Sequence, residues 1–192
     1  MPTIFFLTHP EVVIDPAIPI PDWRLSDVGR RRMERFVGQA QSQGLVAAYS
    51  SAERKATDGA AIAAAALGVP HRIDPELGEN DRSATGYLAP AEFWQVVEVF
   101  FDRPDESVRG WETARAAQTR IVRAMKRLLA GEQAPGDLLV VSHGGVGRLL
   151  AAHLQGVEIG QEDRPEHPGG GCWLEIDRET LRIRRTWQSI AD

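Results

Sequence analysis

Asp137-Leu-Leu-Val-Val-Ser-His-Gly-Gly-Val146 decides the fold. Residues 138–141 form an unbroken apolar run between Asp137 and Ser142. Its length suits a strand buried on both faces. Gly144 and Gly145 then open a helix through His153 with no intervening loop. A buried strand passing straight into a helix belongs to a parallel sheet with helices packed on it. The two glycines also leave backbone N–H groups at the helix start open to an anion.

Outward from this stretch the same alternation repeats. Thr3-Ile-Phe-Phe-Leu-Thr8 is another apolar run, ended by His9 and Pro10. Pro10, Pro16, Pro19 and Pro21 make residues 10–25 a constrained loop. Ser26 reads as the N-cap of a helix with Met33, Phe36, Val37 and Ala40 on one apolar stripe and Gly44 as C-cap. A strand follows at 45–49, then Ser50-Ser51 and an alanine-rich helix ending at Leu67-Gly68. A short strand is expected at 71–73, and residues 74–89 are polar and loop-like. Helices are expected over 90–101 and 107–130, separated by the Arg-Pro-Asp turn at 103–105. Residues 172–177 and 181–187 alternate as a hairpin. The order predicts an α/β fold: a three-layer α/β/α sandwich, its sheet mostly parallel with a C-terminal antiparallel hairpin at the edge. One domain is expected over 1–192, with a small helical insert at about 80–115 capping the site.

Composition narrows the function. The chain has 192 residues, 43% hydrophobic and 26% charged, which suits a globular domain. A formal net charge of -5 disfavours nucleic acid and anionic membrane as partners. The single cysteine, Cys172, excludes an intrachain disulfide or a multi-cysteine metal site. No apolar run is long enough to cross a bilayer, and the N-terminus lacks a signal sequence's basic start, so a cytoplasmic protein is expected.

Ligands of open parallel sheets bind beyond the carboxyl ends of the strands. Three strands here end in polar groups at that edge: Thr8-His9, Ser50-Ser51 with Arg54 and Lys55 on the next helical turn, and Ser142-His143-Gly144. Two imidazoles, two cations and open amides on one rim suit phosphoryl transfer, with one histidine as nucleophile and the donors neutralising the equatorial oxygens. Arg54 and Lys55 stand against the dipole at a helix start, and the structural alternative for them is a salt bridge to Asp58. His71, His153 and His167 have no metal-ligand spacing. Cys172, Trp173 and Trp187 read as packing residues.

These residues resemble the histidine phosphatase superfamily, also called phosphoglycerate mutase-like. The family's opening strand and Arg-His-Gly-Glu align with Thr8-His9-Pro10-Glu11. Its Leu-Thr-x-x-Gly aligns with Leu25-Ser26-Asp27-Val28-Gly29, and its Ser-x-x-x-Arg-Ala with Ser51 to Ala56. Its Leu-x-Glu aligns with Leu77-Gly78-Glu79, and its Ser-His-Gly-Gly with Ser142 to Gly145. The likeness covers about 1–155. It implies the phosphoglycerate mutase-like fold. It makes His9 the nucleophile that becomes phosphohistidine, His143 a donor to the phosphoryl group, and Glu79 the residue that protonates the leaving oxygen. Phosphate binding falls to Lys55, Arg54, Thr8 and Gly144. No metal and no cofactor are implied, and the partner is a small phosphorylated substrate or phosphate.

The departures are specific. Thr8 replaces the first family arginine, so a bidentate clamp is missing there. Pro10 replaces a glycine. Lys55 replaces the second arginine and loses the planar fork. Arg24 and Arg82 lie on loops that reach toward the rim, the alternative being that both are simply exposed. The 10–25 loop and the insert are expected to form the pocket mouth, with Arg82, Tyr87, Phe93 and Trp94 either lining it or packing. The favoured function is metal-independent hydrolysis of a phosphomonoester through phospho-His9. The alternatives are a protein phosphohistidine phosphatase and a catalytically degenerate phosphate-binding or interaction module. The substrate and the oligomeric state stay open.

Overall fold

A computed structural model describes residues 1–165 and 170–190. Strands β1 (Thr3–Thr8), β2 (Leu45–Ser50), β3 (His71–Ile73) and β4 (Asp137–Ser142) pair in parallel. Strands β5 (Cys172–Asp177) and β6 (Ile183–Ser189) add an antiparallel hairpin against β1. The sheet order is β3-β2-β4-β1-β5-β6, the mixed α/β architecture expected from the sequence.

Strand side chains alternate between faces, and each face has its own core. Ile4, Phe6, Leu138 and Val140 join the layer formed by α3 (Pro90–Asp102), α4 (Ala114–Gly131) and α5 (Gly144–Gln155). Phe5, Leu7, Leu139 and Val141 join the layer of α1 (Asp27–Gly38) and α2 (Arg54–Leu67). Both central strands are covered on both sides, which is why their sequences are unbroken apolar runs. Among the described residues no helix is long and apolar enough to cross a membrane.

Several boundaries differ from the sequence expectation. Helix α1 ends at Gly38, and a 3-10 turn covers Ala40–Gly44. The Ser42 hydroxyl donates to the carbonyls of Val37 and Gln39 and so competes with continued helix. Helix α4 starts at Ala114, not 107, with Thr113 as its cap. Arg109 at φ 54 and Gly110 at φ 83 break the chain before it. Strand β6 starts at Ile183 because Leu181 adopts φ 56 in the turn. Ser26 does cap α1, accepting from the Gly29 N–H, and Gly68 closes α2 at φ 68. His167, expected to be structural or exposed, lies outside the described residues.

Candidate active site

The adjacent strand ends build the site. Thr8 pairs with Ser142 in register, and the His9 N–H donates to the Ser142 carbonyl at 2.8 Å. His9 and His143 therefore leave neighbouring strands side by side, with ring centroids 5.2 Å apart at 66°. The backbone of His9 is pressed by the chain at Gly170. A Cβ there would lie 2.1 Å from the His9 carbonyl oxygen, and φ is +74°. Only glycine fits both demands.

The His9 Nδ1 lies 2.9 Å from the Pro10 carbonyl. A carbonyl only accepts, so Nδ1 carries the hydrogen and Nε2 keeps its lone pair. Burial, then the positive fields of His143 and Lys55, lower the His9 pKa to about 3 against smaller opposing pulls from the Pro10 carbonyl and Glu53. His9 is thus a neutral imidazole with a free nucleophilic nitrogen over the physiological pH range.

His143 is 1% exposed. Its Nε2 faces two oxygens, Ser51 Oγ at 2.8 Å and Glu53 Oε1 at 3.3 Å. Its Nδ1 is buried with no hydrogen-bond partner among the described residues. Burial lowers the His143 pKa, although Glu53 and Glu79 pull the other way. An unpartnered buried ring nitrogen beside a second imidazole suits a polar ligand atom.

Glu53 was not singled out in the sequence, yet it organises the site. It precedes α2, and its carboxylate takes the Glu79 N–H at 3.0 Å and the Lys55 ammonium. Burial alone would raise its pKa, but the fields of His143 and Lys55, the Lys55 hydrogen bond and the Glu79 amide hold it at about 2. The only sequence signal was position: a glutamate two residues before a lysine at a helix start.

Lys55 is 2% exposed and Arg54 is exposed, so the buried cation at this helix start is the lysine. Neither pairs with Asp58, which holds Arg30 and the Leu25 N–H instead. The Lys55 Nζ also donates to the Ile20 carbonyl at 2.8 Å, which ties the 10–25 loop to the site. Arg24 is exposed, whereas Arg82 lines the cavity together with His9 and Lys55. The Arg82 guanidinium lies over the rings of Phe93 and Trp111, 5.2 and 5.7 Å from their centroids. No carboxylate among the described residues pairs with it.

The start of α5 already holds a side chain. The Glu79 carboxyl oxygens accept from the Gly145 and Val146 N–H groups at 3.0 and 2.9 Å. A Cβ on Gly145 would lie 2.5 Å from Glu79 Oε1, whereas one on Gly144 would meet nothing within 4 Å. The second glycine admits the glutamate, and the first leaves space beside His143.

Thr8 is 3% exposed, and its hydroxyl oxygen accepts from the Cys172 N–H at 3.0 Å. The residue thereby fastens β1 to the start of β5. Thr8→Arg is expected to remove that acceptor and bury a charge. Leaving one buried N–H unpaired costs about 1–3 kcal/mol before the charge is counted. A fall in Tm of at least several degrees is expected by thermal denaturation. An unchanged or higher Tm would contradict this placement of Thr8.

The sequence profile of the histidine phosphatase superfamily (branch 1) matches residues 17–188. The chain belongs to the histidine phosphatase superfamily. The match begins after Thr8-His9-Pro10, so the profile does not reach that motif. No curated protein matches the chain. Among solved structures, mycobacterial glucosyl-3-phosphoglycerate phosphatase with inorganic phosphate superposes with a TM-score of 0.79 at 20% identity, over 100% of this chain and 98% of the other. YhfR of Bacillus stearothermophilus gives 0.77 at 19% identity, over 100% and 98%. TTHB049 of Thermus thermophilus gives 0.65 at 22% identity, over 97% and 99%. At these identities the likeness is one of fold. Family membership supports a phosphatase or mutase-like enzyme.

Proposed function

We propose that this superfamily member is a metal-independent phosphomonoester hydrolase working through phospho-His9. The observation that carries the reading is the His9 ring, neutral, hydrogen-bonded through Nδ1 to Pro10, and lying against His143. The His9 Nε2 lone pair forms the N–P bond as the ester P–O bond breaks, and the leaving oxygen takes a proton from Glu79. Water then attacks phosphorus, the N–P bond breaks, and the water's proton returns to Glu79. Glu53 is unsuited to that role because its pKa of about 2 keeps it ionised.

Lys55 and Arg82 neutralise the phosphoryl oxygens, and Arg82 stands in for the arginine absent at position 8. His143 presents Nδ1 to the same group. The phosphoryl charge favours the imidazolium there, so that Nδ1–H donates while Nε2–H stays with Ser51 and Glu53. The segment at about 80–115 covers the site. Two cations and an activated imidazole weigh against a non-catalytic binding module.

The test is turnover of a panel of phosphate esters in excess EDTA, with rapid quench and mass mapping of the phosphoenzyme. Undiminished turnover and phosphate on His9, labile to acid and stable to base, are expected. Loss of activity in chelator with recovery on adding a metal, or turnover with no phosphoenzyme, would overturn the mechanism.

A further inference from the structure

Beyond the phosphoryl end, the cavity changes character. It has a volume of about 280 Å³. Ile14, Ile20 and Trp23 from the proline-rich loop form one wall, and Tyr87, Phe93 and Trp94 form the other. Among the described residues, the lining side chains that carry a charge or an imidazole are His9, Lys55 and Arg82, all three assigned to the phosphoryl group. Beyond them, among the described residues, only Trp23, Tyr87 and Trp94 carry a polar side-chain atom.

The walls are held rigid by contacts of their own. Trp23 meets Tyr87 edge to face at 6.0 Å, which joins the two loops across the mouth. The Trp23 Nε1–H donates to the carbonyls of Asp15 and Ile18 at 2.9 and 3.0 Å, so its one donor is spent within its own loop. Phe93 supports Arg82 from below and packs against Trp94 at 5.2 Å. Trp94 is 63% exposed and Ile14 58%, large apolar surfaces left in water beside an anion site.

From this we infer that the substrate is a phosphomonoester of an apolar, ring-bearing alcohol, the ring lying against the Trp23–Tyr87 pair and Trp94. The inference rests on the phosphatase reading for its chemistry and on the cavity for its specificity. A polyol or sugar would lose water from its hydroxyls and find few partners along these walls. A flat ring loses little on desolvation and stacks on aromatic faces. The volume lies near the lower end of small-ligand pockets, about 300–1,000 Å³, which suits one or two fused rings.

The experiment compares two alkyl esters, so that the leaving groups are matched: 2-(2-naphthyl)ethyl phosphate and glycerol 3-phosphate. Burying about 100 Å² of ring carbon predicts a kcat/KM ratio on the order of 10² in favour of the naphthyl ester. Trp94→Ala, at an exposed position on α3, is expected to lower that ratio about tenfold. In parallel, calorimetry measures binding of 2-(2-naphthyl)ethylphosphonate and methylphosphonate, which cannot be hydrolysed. The naphthyl compound is expected to bind at least tenfold tighter. Tighter naphthyl binding without turnover of any ester would remove the phosphatase reading and keep the ligand class. Equal kcat/KM values for the two esters would overturn the ligand class and keep the phosphatase. A ratio unmoved by Trp94→Ala, or phosphonates that bind equally or not at all, would overturn the inference.

Discussion

His9→Ala is expected to abolish turnover, with a loss on the order of 10⁴-fold or more, because the variant has no atom to accept the phosphoryl group. The fold is expected to survive. The ring is half-buried at a strand end, and its one hydrogen bond goes to the neighbouring Pro10 carbonyl. The same substitution has a second readout. The folded-state pKa of His9 is about 3 against an ordinary 6.5. Between those values the unfolded chain binds the proton and the folded chain does not. Stability contributed by neutral His9 is therefore complete above pH 6.5 and is lost as pH falls toward 3. Removing the imidazole removes that loss, so the Tm of His9→Ala is expected to fall less steeply than that of the parent between pH 7 and 4. Full activity in the variant would refute the nucleophile. Parallel Tm curves would refute its neutral state.

The second large effect is expected from Lys55→Met. The methionine keeps the length of the side chain and removes the charge that faces Glu53 and the phosphoryl site. Removing one partner of a buried ion pair costs about 3–5 kcal/mol. The lower end applies here, because Glu53 keeps the Glu79 N–H and lies 3.3 Å from His143. A Tm decrease of about 6–12 °C corresponds to that loss in a chain of this size. Turnover is expected to fall by about 10²–10³, the usual effect of deleting one well-placed donor to developing charge. Glu53→Gln added to Lys55→Met is expected to recover much of the Tm and little of the rate, since the amide needs no counter-ion but supplies no cation. The pH response follows from the same pair. Glu53 has a folded pKa of about 2 against an ordinary 4.5, so its contribution to stability is present above 4.5 and lost as pH falls toward 2. Lys55→Met is expected to shrink that acid-dependent loss. A variant with parental Tm and parental rate would mean that Lys55 is a surface cation, against its burial.

The contrast between these two residues shows where sequence reading reaches. His9 and His143 were legible because each follows a short apolar run, and parallel strands deliver their ends to one edge. That consequence needs only local pattern and sheet chemistry. The two central strands, the αL glycine after α2 and the Ser26 cap were legible for the same reason: neighbouring residues decide them. The end of α1 was not, because a serine hydroxyl outcompetes the helix at Ser42. Nor was the delay of α4, where Arg109 and Gly110 take left-handed conformations that the apolar periodicity does not encode.

The charges inside the site were decided only by tertiary structure. Arg54 and Lys55 are neighbours in the chain, and either satisfies a spacing rule. Helix α2 packed on the sheet turns the lysine inward and the arginine outward. Arg82 and Arg24 were equivalent loop cations until Phe93 and Trp111 gave one of them a surface to lie on. Glu53 carries no local mark of function, and Glu79 stands out only through the family-like Leu77-Gly78-Glu79. Their placement comes from α2 and α5 meeting at the strand ends, where a carboxyl group out of water needs the cation and amides that other segments bring to it. Sequence by itself determined the sheet, its edge and the two histidines, since periodicity and caps act over a few residues. Which charge faces which was settled by packing, since Coulomb and desolvation energies depend on distances through space.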